Sequence, residues 1–138
     1  MSGRGGPVAG GGGGPAARTE SFEYALIRVV PSVERGEAIN AGVIVYSRGH
    51  EYLCARVHLD EQRLRALDPA IEMSAVRAAL KVFERACAEG HLADQPLGAR
   101  FRWLTAPRSM IVQPGPVHGG LTDDPEAELA HLFDTLVR

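Results

Sequence analysis

Apolar positions from Phe22 to Val30 recur with the period of an extended strand. Successive strand side chains point to opposite sides, so Phe22, Tyr24 and Leu26 share one face and Ala25, Ile27 and Val29 the other. Both faces are apolar through the middle, which predicts a central strand. Pro31 has no N–H for a ladder, so pairing weakens there, and Pro31 to Gly36 reads as a turn. A second strand, rich in Val and Ile, runs from about Ile39 to Ser47. Arg48-Gly49-His50 forms a short hairpin loop, and Glu51 to His58 is a third strand. Three strands with short connections predict an antiparallel meander.

Beyond His58 the period changes. Asp60 is placed to cap a short helix that runs to Leu67, where Asp68-Pro69 breaks it. Val76, Leu80, Phe83 and Cys87, with Ala79 and Ala86 beside them, form the apolar stripe of a helix from about Glu72 to Glu89. Gly90 is suited to end it in a left-handed conformation. Ser109 to Gln113 reads as a further short strand, and Pro114-Gly115-Pro116 forces a turn or an extended bend. Asp124 caps the last helix, with Pro125 at its first position and Leu129, Leu132, Phe133 and Leu136 as its buried stripe. The elements predict an α+β fold: a small, mostly antiparallel sheet with helices packed on one face.

Residues 1–19 are dominated by Gly, Pro and Ala and have little to bury, so they are expected to form a disordered tail ahead of a single domain over residues 20–138. The body is large enough to need no staple. Net charge is −2, and no basic stripe of the kind nucleic-acid binding requires is visible. No apolar run reaches the length of a membrane span, and the N-terminus lacks the apolar segment of a secretory signal. The expected compartment is therefore the cytoplasm, with neither membrane nor nucleic acid as a partner. Cys54 and Cys87 lie far apart among apolar residues and read as free thiols. His58 and Asp60 have no third ligand at a diagnostic spacing, so neither metal nor cofactor is expected. Gly36, Gly42 and Gly49 form no phosphate loop, and no serine sits in a nucleophile elbow.

Two polar constellations remain. The first is Arg28 with Arg35, Glu37 and Asn40. Arg28 projects from the Tyr24–Leu26 face, where an unpaired guanidinium is costly to bury, and Glu37 is the nearest carboxylate across the hairpin. An Arg28–Glu37 pair would fix the turn; a polar site at the sheet end is the functional alternative. The second is Trp103, Arg108, Ser109, Gln113 and His118, with Thr122 nearby. It lies in a stretch where polar and apolar groups alternate without a clean period, as binding segments often do. Arg with Ser suits an anion, and His118 follows a rigid Pro-Gly-Pro bend. The structural alternative makes Trp103 a core plug, Arg108 a snorkelling surface residue and His118 a partner of a backbone carbonyl. No catalytic residue is assigned; His118 and Glu37 are the acid–base candidates if the chain is an enzyme.

Tyr24-Ala25-Leu26-Ile27-Arg28-Val29-Val30-Pro31, followed by Arg35-Gly36-Glu37 and Asn40-Ala41-Gly42-Val43, resembles the start of the bacterial family known as domain of unknown function three-zero-three-seven. Trp103 to Ser109, then Gln113 to His118, resembles its second signature, and Asp123-Asp124-Pro125 also fits. The resemblance covers about Glu20 to Arg138 and implies no established activity. It does imply pairing with a HipA-like kinase, since members are often encoded beside one. Small size and the absence of catalytic spacing lead to the expected function, a non-catalytic accessory or regulatory module that binds a protein partner through the Trp103–His118 surface. The alternative is an enzyme or binding protein for a small anionic or phosphorylated ligand, using Arg28, Arg108 and His118.

Overall fold

A computed structural model of the protein describes residues 18–32, 34–88, 96–107 and 110–138. The meander forms as the alternation predicts. β1 (Glu20–Ser32), β2 (Glu37–Ser47) and β3 (Tyr52–Val57) pair antiparallel in sequence order. β1 is the central strand, because its other side is also paired. β4 (Val112–Pro114) lies against Ile27–Val29, and β5 (His118–Thr122) against Glu20–Tyr24. Together they make one interrupted edge along β1. Residues 115–117 stand opposite the two residues 25–26, so the edge gains one residue and bulges there. The Gly115 N–H still donates to the Leu26 carbonyl, at 2.7 Å.

α1 (Glu61–Leu67), α2 (Met73–Ala88) and α4 (Pro125–Leu136) match the expected helices. Asp60 and Asp124 cap α1 and α4, accepting from Arg63 N at 3.1 Å and Ala127 N at 3.2 Å. α3 (Leu97–Leu104) and β5 are additional elements. The expected tail up to residue 17 and the expected helix stop at Gly90 lie outside the described residues.

The α+β class holds, but the helices do not share one face. Met73, Val76, Leu80 and Phe83 of α2 and Phe101 and Leu104 of α3 bury against Ala25, Ile27, Val29, Ile44 and Tyr46. Leu129, Leu132 and Phe133 of α4 bury against Phe22, Val43 and Val45 on the opposite face. The correction has a simple cause. Adjacent residues 43 to 46 are all buried yet point alternately up and down, so each side of the sheet needs its own cover.

α4 is also held by polar contacts. The Tyr52 hydroxyl donates to Glu126 at 2.6 Å, the Arg56 guanidinium lies 5.6 Å from the Phe133 ring centroid, and the Asn40 amide donates to the Leu136 carbonyl at 3.1 Å. On the other side, the Arg77 fork joins α2 to α1 through Glu61, at 2.6 and 2.8 Å, and holds that carboxyl below its ordinary range.

A register shift in β2 decides which residues reach which layer. Ile27 pairs with Gly42, but Arg28 pairs with Asn40, so Ala41 is the extra residue. Beyond it the faces exchange: Ile39 and Ala41 join the α2 layer, and Asn40 turns to the α4 side. Gly42 sits at the shift because the strands approach closely there. A Cβ on it would lie 2.9 Å from the Arg56 carbonyl oxygen and 2.9 Å from Val57 Cγ1. Gly42→Ala is therefore expected to lower stability by about 1–3 kcal/mol, the usual cost of overpacking. Urea denaturation measures this, and an unchanged midpoint would contradict the close approach.

Candidate functional site

The register that places Asn40 also builds a polar row. Arg28 has Asn40 as its cross-strand partner on β2 and Gln113 on β4. Directly opposed residues share a face, so an amide, a guanidinium and a second amide stand side by side. One member of each constellation expected from the sequence thus meets the other across β1 and β4. Asn40 is committed to the Leu136 carbonyl. Arg28 is half-buried, and its Nε is closed off from solvent without a hydrogen-bond partner.

The expected Arg28–Glu37 pair does not form. Glu37 stands opposite Ser32, four residues along β1 from Arg28, or roughly 13 Å at the rise of a strand. It accepts instead from Arg35 at 3.1 Å, across the turn that joins the two strands. Arg35 lies in that turn and Glu37 opens β2 beside it, away from the polar row.

His118 opens β5 opposite Tyr24, and their rings stack at a tilt with centroids 5.3 Å apart. Tyr24 in turn stacks on Phe22, at 6.1 Å. His118 therefore contacts an aromatic face, and it is His50 that meets a backbone carbonyl, that of Thr122, at 3.0 Å. His118 and Arg28 share the α4 side of the sheet, but the Leu26 position separates them. A group held by Arg28 is not within direct reach of the imidazole, so the geometry does not assemble an acid–base pair around a bound anion.

Trp103 is not a core plug, since it is 46% exposed on α3. That helix packs on the other side of the sheet, where Phe101 stacks on Tyr46 at 5.2 Å. Trp103 and His118 consequently belong to different layers. Arg108 and Ser109 lie outside the described residues. Thr122 is structural: it is buried, and its hydroxyl accepts from Asp124 N at 3.1 Å, just ahead of α4.

Sequence reasoning missed two features. Arg100 is buried and donates to the Cys87 carbonyl at 2.7 Å, tying α3 to α2. Its place among Leu97, Phe101 and Leu104 was a readable sign that it faces inward. The second is the apolar edge. Met110, Ile111, Val117 and Leu121 are all more than two-fifths exposed at or beside β4 and β5. Met110 and Ile111 fell in the expected short strand, and Val117 and Leu121 stood among prolines and glycines after it.

The polar depression between Ser21, Glu23, Arg48 and Arg102 is less informative, because its only acid, Glu23, already meets Arg102 at 3.9 Å. Cys87 is inert by burial, which pushes its thiol up to about 12. It should resist iodoacetamide at pH 8 in the folded protein and react once the chain is unfolded in urea. Labelling in the native state would contradict that environment. The shift also fixes a sign. An unfolded thiol ionises near 9.0 and the folded one near 12, so the contribution of Cys87 to stability is complete below 9.0 and is lost as pH rises towards 12.

A family model described as a protein of unknown function, DUF3037, matches residues 24–137, which takes in most of β1 and every later element. No curated protein and no solved structure matches the chain. Among the described residues, no helix is long and apolar enough to cross a membrane.

Proposed function

The chain belongs to the DUF3037 family, and from that premise we propose that it is a non-catalytic accessory module that docks an extended segment of a protein partner along β5. The observation that carries this reading is the distribution of exposed apolar side chains. Among the described residues six large ones are exposed, and four of them, Met110, Ile111, Val117 and Leu121, fall within residues 110–122, which carry β4 and β5 along one edge of the sheet, the other edge being β3. Single exposed apolar residues need no explanation, but four gathered along one sheet edge point to an interaction surface.

The edge itself adds to this. Among the described residues β5 pairs with β1 on one side only, so its other side offers backbone donors and acceptors to an incoming strand. Sheet edges are commonly protected by charge, and His118-Gly119-Gly120-Leu121-Thr122 carries no lysine or acid. Leu121, at 67% exposure, is the natural anchor. Trp103 lies on α3, off the sheet edge, and is not part of the proposed contact. The family resemblance makes a HipA-like kinase the first partner to try.

The test is purification of the tagged full chain from its native host with quantitative mass spectrometry. A HipA-like kinase is expected at near-equal amounts with the unaltered protein. A folded Val117→Asp/Leu121→Asp variant should reduce its recovery by about tenfold or more, as loss of a central anchor does. Trp103→Ala should recover it unchanged. Retention of the partner by the folded double variant, or no stoichiometric partner at all, would overturn the reading.

A further inference from the structure

We propose that Arg28 and Gln113 form a binding site for a carboxylate, separate from the β5 edge. Arg28 Nε is the one buried side-chain nitrogen or oxygen without a hydrogen-bond partner among the described residues. Such atoms are rare in folded proteins and call for a reason. A guanidinium presents Nε–H and one Nη–H as a parallel pair whose spacing fits the two oxygens of a carboxylate. A carboxylate would give Arg28 Nε the acceptor that the protein does not supply.

The surroundings fit the same ligand. Gln113 is directly opposite Arg28, and its amide makes no hydrogen bond among the described residues, so it can donate to the second lone pair of a bound oxygen. Gly115 covers the Nε side of the fork with backbone alone. A Cβ there would stand 3.5 Å from Arg28 Nε and 3.7 Å from Cζ, so any longer side chain would fill the space beside the fork.

Charge selects the class. The neighbours on the row, Asn40 and Gln113, are neutral. Arg35, Arg56 and Arg138 each already meet a carboxylate, Glu37, Glu126 and Asp134. One unpaired cation between two amides matches a monoanion, whereas a phosphate dianion would call for more positive charge. The same chemistry is offered by a small organic acid and by the C-terminus of a peptide.

The experiment follows the Arg Nε–H and Gln side-chain amide resonances of the isotopically labelled full chain. Sodium acetate, inorganic phosphate and alanine tripeptides with free or amidated C-termini are each added against sodium chloride at matched ionic strength. The expected result is a saturable shift at Arg28 Nε–H and Gln113 with acetate or the free-acid tripeptide, and a smaller one with phosphate. A tripeptide that binds more tightly than acetate, while its amide is silent, identifies a peptide terminus as the source; equal binding identifies a small acid. Arg28→Lys keeps the charge and removes the fork, and Gly115→Leu fills the flank; each should weaken binding about tenfold or more. Gln113→Ala, on the surface of the row, gives a folded variant should either fail to fold. The Val117→Asp/Leu121→Asp variant should bind acetate normally, which separates this site from the edge. No saturable shift, equal binding by Arg28→Lys, or stronger binding of phosphate would overturn the proposal.

Discussion

Both faces of β1 have to be kept from water, and most of the architecture follows from that requirement. Ala25, Ile27 and Val29 are fully buried on one side, while Phe22 is buried on the other next to the half-buried Tyr24 and Leu26. A Val, Ile, Leu or Phe side chain among them is stabilised by about 1.5–3 kcal/mol when fully covered, so neither face can be left open. α2 and α3 close one side and α4 closes the other. β2 shares the constraint through Val43 and Val45 on the α4 side and Ile44 and Tyr46 on the α2 side. Two layers of helix around a sheet are the least cover that satisfies thirteen residues of β1 and eleven of β2.

The same strand explains why a polar row sits where it does. The apolar series on the α4 face ends after Leu26, and the next residue on that face is Arg28. α4 comes to its end nearby, with the Asn40 amide taking the Leu136 carbonyl. A helix C-terminus carries partial negative charge and favours a cation near it. That field keeps a guanidinium tolerable without a protein carboxylate beside it, and the register shift at Ala41 brings Asn40 to this side in the first place. Packing, the shift and the helix end are thus one arrangement, with an uncommitted cation as its outcome.

Much of this was legible in the chain. The meander, α1, α2 and α4 follow from period and caps, because each has several apolar residues in register and α1 and α4 each begin at a capping Asp. The two apolar faces of β1 were equally readable, and they already imply helices on both sides of the sheet rather than on one. α3 was hidden by its length. Eight residues give barely two turns, and the inward-facing Arg100 breaks the apolar stripe formed by Leu97, Phe101 and Leu104. β5 was hidden by composition, since Gly119 and Gly120 have little strand preference and pair only because β1 offers a ladder. The Arg28–Asn40–Gln113 row could not be read at all. It depends on a one-residue shift in β2 and on a strand that arrives some eighty-five residues after Arg28, and no local pattern records either.

Pro114-Gly115-Pro116 links the two surfaces on the free edge and also keeps them apart. The two prolines have no N–H, so this stretch has fewer donors to offer a strand added from outside, and edge pairing falls to β5. Between them Gly115 keeps its own bond to Leu26 and adds no side chain to the space beside Arg28. Replacing the tripeptide by ordinary strand residues would extend the ladder and fill the polar row at once. The interruption of the edge is therefore a structural cause of two distinct surfaces: an apolar strand edge with backbone groups to offer, and a guanidinium whose Nε is left without a protein acceptor.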